Sequence, residues 1–385
     1  MEGFEMGKVK VLTARQAADL IKDGDTVTLS GFVANGIAEA LNAAAEERFL
    51  ETGHPKDLTL FWVAGTGNKD GSHADHYAHE GMVKKVIGGH FNFVPKICEM
   101  LSENKIEGYN VPQGAIAQML RDNAAHKVGT ISHVGIGTFA DPRNGGGRLS
   151  EKTKEDIVKV IELEGQEQLF YPRIPLDVAF IRGTYADELG NITLEKEMAP
   201  LDATSQAMAV HNNGGLVVVQ VERVVKAGHL DPKLVKIPGI YVDAVVECPA
   251  DDPKQSQSIN CTYDPAYAGN TQVPVSSLEP KKLDAKKIIG RRAAMELKKN
   301  VVVNLGVGVP EWVSSVAAEE GVADEMTLTV ECGPVGGVPG GGLRFGGSVN
   351  AQAYMDEGYQ FDFYDGGGLD LCFLGLAEVD NNGDV

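Results

Sequence analysis

The chain has 385 residues and a formal net charge of −19, with 43% hydrophobic and 23% charged residues. This length allows two or three domains, and the composition is that of an ordinary globular protein rather than a disordered one. The acidic balance disfavours nucleic acid and anionic lipid as partners, so a polyanionic ligand would need a local basic or amide-rich pocket. Neither a long apolar run nor the order of a signal peptide is evident, so no membrane span is expected and the cytoplasm is the default compartment.

The number and spacing of the cysteines indicate neither structural disulfides nor a cysteine-based zinc site. The five cysteines are odd in number, far apart and never spaced as CxxC, so neither a disulfide framework nor a zinc knuckle is indicated. Reduced thiols are expected at Cys98, Cys248, Cys261, Cys332 and Cys372.

The order of apolar runs predicts an α/β protein. Short β-branched runs bounded by glycine or proline predict strands in "GDTVTLSGF", "DLTLFWVAG", "VKKVIGGH", "PLDVAFIRG", "GGLVVVQVERVV", "GIYVDAVVE", "NVVVNLGVG" and "LDLCFLGLAEVD". Helical patterns such as "GIAEALNAAAEERFLETG" and "WVSSVAAEEGVADE" lie between several of them. Alternation of this kind is typical of open sheets with buried, mainly parallel strands.

Two stretches repeat one design and predict two related α/β domains. In both, an apolar strand meets glycines, then Gly36-Ile37-Ala38-Glu39 or Gly308-Val309-Pro310-Glu311, and then a helix that closes on Ala-Ala-Glu-Glu. We expect an N-terminal domain over 1–270, a linker over 271–285 and a C-terminal domain over 286–385. The turn signal "DNNG" after the last apolar run predicts a returning strand that would lie beyond residue 385, so the second domain is expected to be incomplete.

One glutamate of the second domain follows the carboxyl end of a predicted strand. Glu331, in "TLTVECGPVGGVPGGG", follows a predicted buried strand over 326–330 and precedes a dense glycine segment. The carboxyl ends of strands hold the ligand crevices of open α/β sheets. The glycines allow backbone N–H groups to approach an anion or a developing oxyanion closely.

Residue chemistry leaves the role of Glu331 open. The carboxylate could be a nucleophile that forms an acyl anhydride, a general base with a raised pKa or a metal ligand, or it could cap a turn in water. No aspartate beside it in sequence favours a metal site. Cys332 is an alternative nucleophile, but no nearby histidine in the sequence would activate it, and buried thiols are commonly inert.

A histidine series suggests a metal site only weakly. His73, His76 and His79 recur at three-residue steps, which on a helix would spread them over an arc of about 120°. Such an arc strains a shared zinc ion, so a polar helix surface or a hydrogen-bonded network is the better interpretation.

Two glycine-rich loops also fall short of known phosphate-binding motifs. Gly65, Gly67 and Gly71 follow a predicted strand but lack the G-x-G-x-x-G spacing of a dinucleotide site. The loop with Arg143 and Arg148 could meet a phosphate, although a solvated loop is the commoner case.

Several motifs in order resemble one enzyme family. "VVNLGVGVPEWV" and "TLTVECGPVGGVPGGG" are similar to the second half of family I CoA-transferases of the acetate or propionate CoA-transferase subgroup, and "DGDTVTLSGFVANGIAEAL" to the glycine signature of their first half. "HEGMVKKVIGGH", "ENKIEGYNVPQGAIAQMLRD", "GTFADPR", "GNITLEKE" and "VKIPGIYVDAVV" also look like that subgroup. The resemblance spans essentially the whole chain, although Ala38 stands where many members have proline.

The resemblance implies a ping-pong transfer of CoA between a short-chain acyl-CoA and a short-chain carboxylate. Glu331 would attack the acyl carbonyl, and the reaction would pass through an acyl-glutamyl anhydride and a glutamyl-CoA thioester. Coenzyme A would be a substrate, with no bound cofactor and no metal. An ionised carboxylate is already a nucleophile, so the site chiefly needs to exclude water.

The resemblance also assigns residues around Glu331. Asn304 would orient the glutamate, and the backbone amides around Gly306 and Gly308 would line the site. On spacing alone, Asn304 would equally satisfy backbone groups at a turn.

Three residues of the first domain are assigned in the same way. Gln113 would face the acyl group, which would put the active site between the domains, and Gly31 and Phe32 would shape the same cleft. On spacing alone, Gln113 would equally cap the helix "GAIAQMLRD".

Family members continue to a further glycine-rich loop of the G-x-G-G-F type that this chain does not reach. A separate C-terminal fragment could complete the domain, and the resemblance implies a homo-oligomer. Two alternatives remain open: an acyl-carrier-protein transferase subunit of a lyase or decarboxylase complex, and a non-catalytic sensor or sugar-phosphate isomerase-like module on a related fold.

Overall fold

A computed structural model describes residues 8–274, 280–376 and 378–383. The chain divides into two compact units: unit 1 comprises Met1–Glu197 and Leu201–Thr262, and unit 2 comprises Met198–Pro200 and Tyr263–Val385. Residues 275–279 of the predicted linker, and residues 377, 384 and 385 of the predicted C-terminal strand and turn, lie outside the described residues. Within the described ranges, no helix combines the length and the apolar character that crossing a bilayer requires.

Unit 1 contains fifteen strands and five α-helices in its described part. The strands are, in chain order, β1 (Lys10–Leu12), β2 (Thr26–Leu29), β3 (Leu58–Trp62), β4 (Val83–Gly88), β5 (Glu107–Asn110), β6 (Gly129–Ser132), β7 (Lys159–Leu163), β8 (Gln166–Pro172), β9 (Val178–Arg182), β10 (Tyr185–Asp187), β11 (Ile192–Thr193), β12 (Leu216–Val221), β13 (Arg223–Val225), β14 (Val235–Ile237) and β15 (Ala244–Glu247). The helices are α1 (Ala14–Ala18), α2 (Glu39–Thr52), α3 (Pro95–Ser102), α4 (Gln113–Ala124) and α5 (Ala203–Asn212).

The main sheet of unit 1 has eight strands in the order β1-β15-β12-β9-β2-β3-β4-β5, and every neighbouring pair is parallel. The runs of β-branched residues arise because both faces are covered by helices and loops. In β12, Val217 and Val219 belong to one hydrophobic core and Val218 belongs to the other. The sequence prediction of buried parallel strands is confirmed.

The direction in which strands are added reverses at one point of this sheet. From β2 the chain adds β3, β4 and β5 in one direction, whereas β12 and β15 follow β9 in the other. Neighbouring β2 and β9 therefore form a topological switch point, where the loops at the strand carboxyl ends diverge and leave room for a ligand.

Two smaller sheets of unit 1 were not predicted from the sequence, although β13 falls at the end of the predicted run "GGLVVVQVERVV". Strands β6, β8 and β7 form an antiparallel sheet, and β13, β10, β11 and β14 form a mixed one. Strand β7, "KVIEL", is mostly exposed and interleaves charged with apolar residues, so it lacks the apolar run that marks a buried strand.

Unit 2 contains β16 (Val302–Leu305), β17 (Thr327–Thr329), β18 (Pro334–Val335), β19 (Val338–Pro339), β20 (Ser348–Val349), β21 (Ala353–Tyr354), β22 (Leu371–Phe373), α6 (Ala285–Ala294), α7 (Glu311–Glu319) and α8 (Glu357–Phe363). Its sheet has the order β21-β18-β17-β16-β22, with β17, β16 and β22 parallel and the two short outer strands antiparallel. Helices α6 and α7 pack closely, since a Cβ added at Gly290 would lie 2.6 Å from the Trp312 Cβ.

A half-buried charge cluster joins α2 to the segment that contains the 3₁₀ turn His73–Tyr77. The His76 ring lies between two carboxylates, with Nε2 2.7 Å from Glu39 Oε1 and Nδ1 2.5 Å from Glu46 Oε2, and His79 Nε2 lies 2.7 Å from Glu46 Oε1. Burial lowers the pKa of His76, but hydrogen bonds and charge from Glu39 and Glu46 outweigh it, and the net pKa is raised. Burial likewise raises the pKa of Glu46, but His76 and His79 reverse the shift, and the net pKa is lowered. His76 and His79 thus form a hydrogen-bonded network with Glu39 and Glu46, whereas the buried ring of His73 takes no part in it.

This cluster should make the stability of unit 1 depend on pH. Because the folded-state pKa of His76 is raised, its contribution is complete below the unfolded-state pKa and is lost as the pH rises through the folded-state value. The lowered pKa of Glu46 acts at the acid end of the pH range. Its contribution to the free energy of unfolding is complete above the unfolded-state pKa and is lost as the pH falls through the folded-state pKa.

We expect the free energy of unfolding to fall from about pH 6.5 upward, and to fall less in His76→Gln, which should also lose about 2 kcal/mol at pH 6. Urea titration in a Trp312→Phe background would follow unit 1 through the fluorescence of Trp62, the other tryptophan of the chain. Exposed His229→Gln is the control. Equal pH dependence in wild type and His76→Gln would contradict the role given to the cluster.

Candidate functional site

The sheet of unit 2 brings Asn304 and Glu331 together. Strands β16 and β17 are parallel, and Asn304 pairs with Thr329 across them, so the residues that follow β17 lie beside the end of β16. Asn304 Nδ2 donates a hydrogen bond to Glu331 Oε2 at 3.2 Å. The carboxylate predicted from sequence therefore lies at the carboxyl end of its strand and is held by the amide assigned to orient it.

A tyrosine that sequence analysis missed supports this pair. The Tyr364 hydroxyl donates to Thr329 Oγ1 at 2.6 Å and receives hydrogen bonds from Asn304 Nδ2 at 3.3 Å and Gln360 Nε2 at 2.8 Å. Thr329 in turn donates to the carbonyl of Val303 at 2.9 Å. Burial raises the pKa of Tyr364 to about 12, so the hydroxyl keeps its proton. No motif in the sequence marks this tyrosine, because its contacts join residues that are distant in the chain.

The environment of Glu331 makes its carboxylate more basic. The residue is half-buried, and burial of its carboxyl raises the pKa, while its own backbone N–H and the Asn304 amide oppose that shift. The net pKa is raised, and a more basic carboxylate is a stronger nucleophile when it is ionised.

The structure describes the surroundings relevant to two of the alternatives, the Cys332 nucleophile and a metal site. Cys332 is fully buried, and its thiol donates to the carbonyl of Gly346 at 3.2 Å, so it points into the protein. Among the described residues, no group of three or more histidine, cysteine, aspartate or glutamate side chains is arranged to hold a metal ion.

The glycine loop that follows β16 is fixed by the protein itself. The Gly306 N–H donates to the carbonyl of Phe373 at 2.9 Å, and the Gly308 N–H donates to Glu311 Oε1 at 2.7 Å. These two N–H groups, assigned by resemblance to line the site, are therefore engaged in holding the loop. Glu311, which the sequence analysis noted only as part of the repeat, emerges as the residue that anchors it.

In unit 1, Gly31 and Phe32 lie at the switch point, directly after β2. Gly31 has φ +142°, and a Cβ there would lie 2.3 Å from Thr66 Cγ2, so only glycine fits. Phe32 is buried, and its N–H donates to the carbonyl of Asn35 at 2.9 Å. The next loop packs against this one through the Gly67 N–H, which donates to the carbonyl of Val33 at 2.6 Å.

Gln113 begins α4 after the end of β5, on the same edge of the sheet. It is half-buried, and a Cβ added at Gly89, after β4, would lie 3.2 Å from the Gln113 Cβ. Asn110 is another residue that sequence analysis missed. Its side chain joins the ends of β4 and β5, because it donates hydrogen bonds to the carbonyls of Gly88 at 3.0 Å and Gly89 at 2.8 Å. Gln113 belongs to unit 1 and Glu331 to unit 2, so an active site between the domains stays a prediction.

A buried ion pair fills the other side of the switch point. Arg182, the last residue of β9, pairs with Glu197 at 3.1 Å and donates to the carbonyls of Gln255 and Ser256. Its backbone N–H donates to Ser30 Oγ at 3.2 Å, next to Gly31. Arg182 gave no sequence signal, because its role comes from pairing strands that are distant in the chain.

The arginine-rich loop is neutralised internally. Arg143 pairs with Asp141 at 2.6 Å and with Glu167 at 2.8 Å, and Arg148 pairs with Asp156 at 2.8 Å. These contacts favour the structural interpretation of the loop over a phosphate site.

Comparison with known proteins identifies the family of the chain. Residues 11–248 match the family model described as Coenzyme A transferase. The chain belongs to the coenzyme A transferase family. It is therefore an enzyme of the class predicted from its motifs, and CoA is a substrate of that class.

Its relatives include an acetate and a caffeate CoA-transferase. The enzyme is 44% identical to acetate CoA-transferase YdiF of Escherichia coli (strain K12) over 98% of this chain and 71% of the relative. It is 42% identical to caffeate CoA-transferase of Acetobacterium woodii over 98% of this chain and 72% of the relative. A crystal structure of the acyl-CoA transferase YdiF of E. coli O157:H7, described as a thioester complex with CoA, superposes with a TM-score of 0.91 at 42% identity, covering 98% of this chain and 71% of that one. The predicted fold class is confirmed.

Removal of the Asn304 amide should weaken the enzyme at acid pH most. The hydrogen bond favours the ionised Glu331, so Asn304→Ala should raise the pKa of Glu331 further and move the acid limb of the rate profile to higher pH. A lost hydrogen bond to a charged group should lower kcat/KM about 10- to 100-fold. Rates of CoA exchange from pH 5 to 8 would test this, with exposed Asn381→Ala as the control. An acid limb that does not move would contradict the orienting role.

Proposed function

We propose that the enzyme transfers CoA between a short-chain acyl-CoA and a short-chain carboxylate through covalent intermediates on Glu331. The hydrogen bond from Asn304 to the half-buried Glu331 carboxylate carries the proposal, because it leaves one carboxylate oxygen, Oε1, outside that contact. The crystal structure of a 42% identical acyl-CoA transferase described as a thioester complex with CoA supports a covalent route.

The proposed reaction needs no redox step. A Glu331 carboxylate oxygen attacks the acyl-CoA carbonyl carbon, the carbon–sulfur bond breaks, and CoA leaves as a thiolate with an acyl-glutamyl anhydride behind it. The thiolate then attacks the Glu331 side-chain carbonyl carbon, which expels the first carboxylate product and leaves a glutamyl-CoA thioester. The incoming carboxylate reverses these steps: it displaces CoA thiolate to form a second anhydride, and the thiolate attacks the new acyl carbon and frees Glu331.

The environment of Glu331 suits this sequence of steps. Each step exchanges one acyl bond for another, so the ionised carboxylate requires no general base. Burial makes the carboxylate more nucleophilic and limits the access of water, which would hydrolyse both the anhydride and the thioester. Asn304 would keep the side chain in one orientation through four successive attacks.

The choice of carboxylate is proposed from the resemblance to the acetate and propionate subgroup. Relatives named for acetate and for caffeate have nearly equal identity to this chain, so family membership alone does not fix the acyl group. A cytoplasmic homo-oligomer also stays a prediction.

Replacement of the nucleophile should abolish exchange. We expect Glu331→Gln to lower kcat by at least about 10⁴-fold, because an amide is not a nucleophile here, and Glu331→Asp to lose about 10²-fold through retraction of the carboxylate. The wild-type enzyme, incubated with acetyl-CoA and treated with borohydride, should carry an alcohol in place of the Glu331 carboxyl. Peptide mass spectrometry would detect the exchange of one oxygen for two hydrogens.

Glu320→Gln is the matched control and should keep full activity, because Glu320 is an exposed glutamate at the C-terminal end of α7 in the same unit. Full activity in Glu331→Gln, or reduction at another residue, would rule out the mechanism. Exchange with a phosphopantetheine-bearing protein but not with free CoA would favour the acyl-carrier-protein transferase alternative.

A short-chain pocket should discriminate by size. We expect acetate and propionate to differ by no more than about 200-fold in kcat/KM, since one methylene contributes only about 1–3 kcal/mol. Both should exceed caffeate when all three compete for CoA from acetyl-CoA, with products separated by chromatography. Preferential formation of caffeoyl-CoA would contradict the short-chain assignment.

A further inference from the structure

Glu311 is a buried carboxylate that the proposed chemistry does not use. It is the first residue of α7 and only 8% exposed. Its Oε1 accepts the N–H of Gly308 at 2.7 Å, and its Oε2 accepts the N–H of Gly342 at 3.0 Å. One side chain therefore bridges loop 306–310 and loop 340–344.

Both loops are continuous with the Asn304–Glu331 pair. Loop 306–310 begins two residues after Asn304, and loop 340–344 follows Glu331 by way of β18 and β19. The near end of loop 306–310 is tied to β22 by the Gly306 N–H, which donates to the carbonyl of Phe373. The bridge through Glu311 ties its far end.

We infer that Glu311 is a positioning residue for the transfer reaction: its bridge fixes the two glycine loops that continue from Asn304 and Glu331, and so holds the backbone around the nucleophile. The inference rests on the proposed function of Glu331. Glutamate suits the task because both of its oxygens accept hydrogen bonds, whereas glutamine would turn an NH₂ group toward one of the two N–H donors.

The bridge can also be broken by a substitution at Gly341, without changing Glu311 itself. Gly341 has an extended backbone, with φ −116° and ψ 162°, which any residue can adopt. A Cβ there would lie 2.6 Å from Glu311 Oε2, and its next two neighbours, at 3.6 and 4.0 Å, are also Glu311 atoms. An alanine at 341 would thus displace the Glu311 carboxylate and disturb little else.

A double-mutant cycle tests the bridge. We expect Glu311→Gln, Glu311→Ala and Gly341→Ala each to lower kcat about 10- to 100-fold. KM should change little, because Glu311 contacts backbone groups of its own chain. Glu311→Ala/Gly341→Ala should be no slower than Glu311→Ala, since the obstructed carboxylate is already absent. Glu320→Gln is the matched control, and thermal unfolding checks that each variant is folded.

The pH profile separates a positioning carboxylate from general support of the fold. Burial raises the pKa of Glu311, and the two backbone N–H groups and the charges of Lys281 and Lys286 only partly oppose it. The acid limb of wild-type log(kcat/KM) should therefore contain two protonations, at Glu331 and Glu311. In Glu311→Gln its slope should decrease from about two toward about one.

Three results would overturn the inference: full kcat in Glu311→Gln, an acid limb of unchanged slope, or single effects of Glu311→Ala and Gly341→Ala that multiply in the double variant. The borohydride experiment separates this failure from failure of the proposed function. Without reduction at Glu331 in the wild-type enzyme, the proposed function fails. Reduction at Glu331 in wild type and, at an equal rate, in Glu311→Gln would defeat the positioning role alone.

Discussion

A carboxylate at the end of a strand must be dry enough to react and still keep its charge, and this balance governs unit 2. Burial raises the free energy of the ionised Glu331, and the Asn304 amide returns part of it through one hydrogen bond at 3.2 Å. The hydrogen bond is useful only if the amide cannot turn away. Tyr364 helps to hold the amide because its hydroxyl accepts a second hydrogen bond from Asn304 Nδ2, and Thr329 holds the Tyr364 hydroxyl in turn.

Parallel strands explain how such residues come to the same edge. Neighbouring parallel strands end on one side of their sheet, so loops that are far apart in sequence meet there. In unit 1 this principle brings Gly31 after β2, Gly89 after β4 and Gln113 after β5 to a single edge, next to a switch point occupied by Arg182. The glycines are required because other atoms approach the backbone at that edge too closely for a Cβ: a Cβ at Gly89 would lie 2.1 Å from the carbonyl oxygen of Val63, and one at Gly31 would lie 2.3 Å from Thr66 Cγ2.

The two units use one sequence device for different contacts. Each places a glutamate at the first position of the helix that follows its strand and glycine turn, Glu39 in α2 and Glu311 in α7. Glu39 receives the His73 N–H and the His76 ring, whereas Glu311 receives two backbone N–H groups of glycine loops. A carboxylate at a helix start is favoured electrostatically in both, and the surrounding loop decides what it holds.

The sequence by itself determined the fold class, most strands of the main sheets but not β1 and β5, the family, and the position of Glu331 after its strand. Those features are local: apolar runs, glycine turns and ordered motifs are written in consecutive residues. Only the tertiary structure decided the roles of Tyr364, Arg182, Asn110 and Glu311, and the antiparallel sheet that contains the exposed strand β7. Their contacts join residues distant in the chain, such as Arg182 with Gln255 or Asn304 with Tyr364, and no local pattern records them. Histidines 76 and 79 illustrate the same limit, because their spacing left a metal open and their partners on α2 made them part of a charge network.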